Sequence, residues 1–132
     1  MNKSQALNIL NEIVVNKDAD HYRNYYTCLI GKFFIKIWIP EFHDYVEFYN
    51  TNKITDCPYV HIALYEKIRN PDKPDTLVEE YIDLESDSRF KNYKPIKYAP
   101  YPGYSNGDDM PINYVCKLMI YLSKLNTLMP FW

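Results

Sequence analysis

Between Asp75 and Ser88 the chain carries six carboxylates, Asp75, Glu79, Glu80, Asp83, Glu85 and Asp87, and no base. The next stretch, RFKNYKPIKY, reverses the sign: Arg89, Lys91, Lys94 and Lys97 alternate with Phe90, Tyr93 and Tyr98. Cations reach phosphates while aromatic rings stack on unpaired bases, so this half has the chemistry of a single-stranded nucleic-acid site, with Arg89, Lys91, Tyr93, Lys94 and Lys97 as its contacts. A weaker copy of the pattern lies on Lys32, Phe34, Lys36 and Trp38. The acidic half reads differently. Spaced carboxylates beside tyrosines can dock a basic surface on another protein. For that reading the contacts are Asp83, Glu85, Asp87, Tyr93, Tyr98, Tyr101 and Tyr104. Both halves also have a plainer reading, in which the two runs pair with each other in the fold; exposed pairs of that kind contribute only ~0–1 kcal/mol.

Catalytic sets are harder to assemble. His21, His43 and His61 stand singly, in DADHY, EFHDY and YVHIA. His43 and Asp44 are neighbours, but successive residues of a strand point to opposite faces, so they form no dyad. No GxSxG, HExxH or Walker pattern occurs, and three glycines in all leave little for a phosphate-cradling loop. Asp83, Glu85 and Asp87, if extended, can present oxygens to Mg²⁺ or Ca²⁺ on one face. The lysine that a nuclease would place two residues after an acid is missing, since Arg89 stands there after Asp87. The sequence-based expectation is therefore no enzyme, no metal and no cofactor.

Composition narrows the class. The 132 residues carry a net charge of −2, which excludes a strongly basic polyanion binder though not a local patch. Aromatic residues make up 17%, with 14 tyrosines, a residue that joins an apolar ring to a polar tip and is at home in interfaces. Cys28, Cys57 and Cys116 are an odd number without CxxC or Cys/His spacing, and two lie in apolar runs where a buried free thiol is expected. No stretch approaches the ~18 apolar residues that span a bilayer, and the amino-terminal stretch is too interrupted for a signal peptide. The expected compartment is reducing cytosol.

The elements that must hold these groups follow from periodicity. Residues 4–15 read as a helix with Ser4 as N-cap and Ala6, Leu7, Leu10, Ile13 and Val14 on its apolar side. Tyr26–Pro40 is the longest apolar run and, rich in β-branched and aromatic residues, reads as one central strand. Its alternation puts Leu29, Phe33, Ile35, Ile37 and Ile39 on a core face, and Ile30, Lys32, Phe34, Lys36 and Trp38 on a half-wet one. Residues 44–49 fit either a short helix or a strand hairpinned to the first, with the strand preferred. Tyr59–Ile68 is a second clear strand, and Asn70–Asp75 a loop. Residues 76–84 fit strand or helix. From Glu85 to Pro111, prolines and glycines interrupt every period. Pro111–Leu128 reads as an apolar helix with Pro111 in its first turn and a narrow polar stripe of Asn113, Lys117 and Lys124. Any apolar face it leaves spare would meet a partner or a second copy of the chain. Met129, Phe131 and Trp132 are expected to dock on the core.

Together these readings predict a single α+β domain over residues 1–132, with an N-terminal helix, a mostly antiparallel sheet of three or four strands, a long Pro/Tyr-rich loop and a buried C-terminal helix. Its expected role is a protein–protein interaction module of the inhibitor, immunity or anti-defence kind. Single-stranded nucleic-acid binding is the alternative.

Overall fold

The computed structural model describes residues 1–14, 25–39, 53–57, 59–91 and 108–128. Within them lie two helices, α1 (Lys3–Asn11) and α2 (Ile112–Leu128). Five strands accompany them: β1 (Tyr26–Ile30), β2 (Phe33–Trp38), β3 (Tyr59–Arg69), β4 (Leu77–Ile82) and β5 (Asp108–Pro111). The fold class is α+β. Every strand pairing is antiparallel, in the order β1-β2-β3-β4. β3 is the longest strand and the axis of the sheet. β2 lines one side of it, while β4 and the short β5 lie end to end on the other, opposite Leu64–Arg69 and Tyr59–Ile62.

The expected central strand is a hairpin. Gly31 takes φ +59°, the left-handed region open to glycine, and a two-residue turn at Gly31 and Lys32 folds β1 back onto β2. Positive φ at the first central residue marks the primed turns, whose twist matches that of paired strands. Folding back reverses the parity of the first half. Cys28 and Ile30, not Leu29, join Phe33, Ile35 and Ile37 in the core, and Leu29 is 62% exposed. The second half keeps its expected core side, with Phe33, Ile35, Ile37 and Ile39 all buried.

Both helices cover that face. The core unites Cys28, Phe33, Ile35, Ile37, Val60, Ile62 and Leu64 from the sheet with Ala6 and Leu10 from α1 and Val115, Leu118, Met119 and Leu122 from α2. Each large side chain removed from water there is worth about 1.5–3 kcal/mol, so the two layers hold each other. α2 shows the expected stripe, with Asn113, Lys117 and Lys124 exposed. It begins at Ile112, because Pro111 closes β5 instead. β5 itself was not foreseen; four residues are too few to show a period.

α1 is capped by Asn2 rather than Ser4. The Asn2 side chain accepts from the Gln5 N–H and the Gln5 side chain accepts from the Asn2 N–H, each at 2.8 Å. The reciprocal pair satisfies two of the amides that a helix start leaves open, which a lone Ser4 would not. The helix stops at Asn11, and Val14 leaves its apolar side to bridge Lys53 in antiparallel fashion. Of residues 76–84, Leu77–Ile82 form strand β4 and no helix. The preferred strand at 44–49 and the positions of Met129, Phe131 and Trp132 lie outside the described residues, as do residues 92–107 of the irregular segment expected from Glu85 to Pro111, whose described ends form the 3-10 turn Ser88–Phe90 and strand β5.

Candidate functional site

The sign reversal at Asp87 and Arg89 closes on itself. Asp87 caps the 3-10 turn Ser88–Phe90 by accepting from the Arg89 N–H at 2.9 Å. The same carboxylate then accepts from the Arg89 guanidinium, from Nε at 3.1 Å and from Nη2 at 2.9 Å. Nη1 of Arg89 reaches across to Glu66 on β3 at 2.9 Å, and Lys32 at the hairpin tip meets the same Glu66 oxygen at 3.2 Å. The guanidinium lies over the rings of Phe33 and Phe90. Arg89 also offers its carbonyl to the Tyr121 hydroxyl of α2. One arginine thus ties the acidic turn to the sheet and the helix.

Charge governs the protonation of this cluster. Burial alone would raise Glu66, but hydrogen bonds and charge from Arg89, then from Lys32, outweigh it and hold the carboxyl below its ordinary 4.5. Asp87 is held below its ordinary 3.8, chiefly by the Arg89 hydrogen bonds. Both carboxylates remain ionised at neutral pH and are turned inward.

The other candidates divide. Asp83 and Glu85 are exposed on the turn after β4, where the Glu85 N–H donates to the Asp83 carboxylate at 3.1 Å. That turn overturns the extended alternation on which a metal site at Asp83, Glu85 and Asp87 depended. Among the described residues no group of three His, Cys, Asp or Glu side chains could hold a metal ion. Lys91 is exposed. Tyr93, Lys94, Lys97, Tyr98, Tyr101 and Tyr104 lie outside the described residues, as do His21 and His43. His61 is buried beside the Trp38 ring. Cys28, Cys57 and Cys116 are buried free thiols. Burial pushes Cys28 and Cys57 up to about 11, which removes them as nucleophiles at neutral pH.

The sheet face away from the helices holds what the sequence reading missed. Strand register aligns Leu29, Phe34, Tyr65 and Tyr81 in one row across β1 to β4. Phe34 and Tyr65 stack with centroids 5.1 Å apart, and Tyr81 meets Tyr65 edge-on at 5.7 Å. In the next row the Lys36 ammonium sits 4.6 Å from the Tyr65 centroid and 4.8 Å from that of Tyr25. The expected half-wet face is instead closed at its centre, where Phe34, His61 and Ala63 are buried. It opens towards the edges, at Tyr25 (47% exposed), Leu29 and Leu77 (48%). Leu77, Glu79 and Tyr81 share this face on β4, and the turn bearing Asp83 and Glu85 follows directly. Reading Gly31 as a hairpin turn would have brought Leu29 and Phe34 together; the Tyr65–Tyr81 pairing had no local signal.

The fold and this face define an α+β protein with one helix-covered and one tyrosine-bearing sheet surface. Comparison with protein-family models, curated proteins and solved structures finds no match in any of the three. No described helix is long and apolar enough to cross a membrane.

Proposed function

We propose that this chain is a non-enzymatic protein-binding module of the inhibitor, immunity or anti-defence kind, which blocks a partner by covering a basic surface on it. The observation that carries the reading is the continuity of β4 with its turn. Tyr81 and the exposed Leu77 are apolar contacts held on a paired strand; Glu79, Asp83 and Glu85 set negative charge beside them, and Lys67 and Arg69 of β3 stand opposite Glu79 and Leu77 on the same face. Aromatic anchors surrounded by charged groups are the usual anatomy of a protein interface. A rigid strand also lowers the ordering cost of association. Asp87 does not belong to the contact set, because Arg89 occupies its carboxylate.

A second reading, single-stranded nucleic-acid binding, is favoured by the rings around Lys36. Two features weigh against it. Phe34 is buried and already stacked, so its ring offers no open face to a base, and Arg89 is engaged by two carboxylates.

The test is affinity capture from the native host on wild-type protein and on the exposed-site variant Glu79→Lys/Glu85→Lys, with nuclease and stepped salt. The expected result is a stoichiometric protein that survives nuclease and whose retention falls roughly tenfold or more on the variant. Equal retention by the variant, or recovery of nucleic acid alone, overturns the reading.

A further inference from the structure

Away from the tyrosine face, where α1 starts beside the first half of α2, the helix layer carries a recess of about 580 Å³ lined by Lys3, Asn113, Tyr114, Cys116, Lys117 and Ile120. Its volume falls in the ~300–1,000 Å³ range of small-molecule sites. The walls are of two kinds. Ile120 and the Tyr114 ring are half-buried, and the buried Cys116 lies beneath them, giving an apolar wall and floor. Lys3, Asn113 and Lys117 are exposed around it and supply only hydrogen-bond donors, charges and one amide oxygen.

The charge is one-sided. Neither α1 (KSQALNILN) nor α2 (INYVCKLMIYLSKLNTL) contains a carboxylate, and among the described residues none lines the recess. The Lys117 ammonium rests 4.8 Å from the Tyr114 ring centroid, which places it against the apolar wall rather than away from it. Lys3 bears on the floor: burial raises the Cys116 thiol, and the Lys3 charge opposes that rise. In a chain of net charge −2, two cations facing one recess with no acid among its described lining residues are a local exception.

We propose that this recess binds a small amphiphilic anion, a carboxylate or phosphate head carried on an aromatic or short aliphatic body. The head lies between Lys3 and Lys117 and accepts from the Asn113 amide. The body lies on Tyr114 and Ile120. A recess this size is too large for a bare inorganic ion to fill, and its apolar wall would be wasted on one. The site is independent of the partner-binding surface, because it lies on the other layer.

The experiment is an NMR titration of the full chain with phenyl phosphate, inorganic phosphate and benzyl alcohol. Phenyl phosphate is expected to give saturable shifts confined to residues around Lys3, Tyr114, Lys117 and Ile120. Inorganic phosphate and benzyl alcohol should each bind at least tenfold more weakly. The variant Lys3→Gln/Lys117→Gln, exposed at both positions and so folded, should lose at least tenfold in affinity for phenyl phosphate. Scattered or non-saturating shifts, equal binding of inorganic phosphate, or an unaltered double variant would overturn the proposal. So would co-sedimentation with phosphatidylglycerol vesicles in the absence of saturable phenyl phosphate shifts, which would assign the two lysines to a membrane surface.

Discussion

Glu66→Ala is expected to destabilise the protein by roughly 2–4 kcal/mol, because it leaves two inward-turned cations short of their shared acid. The Glu66 side chain is only 12% exposed and bridges Lys32, 11% exposed, to Arg89, 24% exposed. Arg89 keeps Asp87, but Lys32 loses the carboxylate with which it pairs. At this chain length the loss corresponds to a fall of about 10 °C in Tm. A Glu66→Ala melting curve identical to that of the wild type would mean that the cluster contributes nothing to holding the turn. The same cluster sets a direction with pH. Glu66 and Asp87 both titrate below their ordinary values of 4.5 and 3.8 in the folded chain. A depressed folded pKa means that the unfolded chain binds protons first, so the stabilisation is complete above those values and disappears as pH falls through the folded ones. Urea midpoints measured from pH 6 down to 2.5 should decline in that window, and the decline should be shallower in Glu66→Ala.

Gly31→Ala carries a comparable expectation, roughly 2–4 kcal/mol, from two causes that act together. The left-handed φ of +59° disfavours any side chain with a Cβ. A Cβ built there would also collide with the side-chain amide of Asn126. Asn126 cannot swing away without loss, because its Nδ2 donates to the Ile30 carbonyl at 2.8 Å and its Oδ1 accepts from the Lys32 N–H at 3.3 Å. The hairpin tip is therefore held by the last turns of α2, far away in sequence. Chemical denaturation compares the variant with wild type. Unchanged stability would mean that the turn does not close on Asn126.

Why some elements were readable and others were not follows from these same residues. β3 and α2 declare themselves by unbroken period, and the structure keeps both close to their expected limits. β1 and β2 share one apolar composition, so the run from Tyr26 onward reads as a single strand; only one glycine marks the reversal. Parity then failed for Leu29 and held for Ile35, since a two-residue turn shifts one arm and not the other. Ser4 reads as the cap because it stands next to the apolar period, whereas Asn2 takes that place because Gln5, three residues on, bonds back to it. At the candidate site, the acidic and basic runs are visible and the Asp87–Arg89 pairing is local, but the turn of Arg89 onto the sheet depends on Glu66, which lies 23 residues away from Arg89. Exposure of Asp83 and Glu85 comes from a turn that interrupts the expected extended stretch. The tyrosine row depends on three strand registers at once, and no local pattern encodes it.

The claim that β4 and its turn form the partner-binding surface is tested most directly by backbone hydrogen exchange on the chain alone and in its captured protein complex. The account predicts slowed exchange across Leu77–Glu85 in the complex, with little change in the exposed positions of α1 and α2. Protection confined to the two helices, with Leu77–Glu85 exchanging as in the free protein, would contradict it.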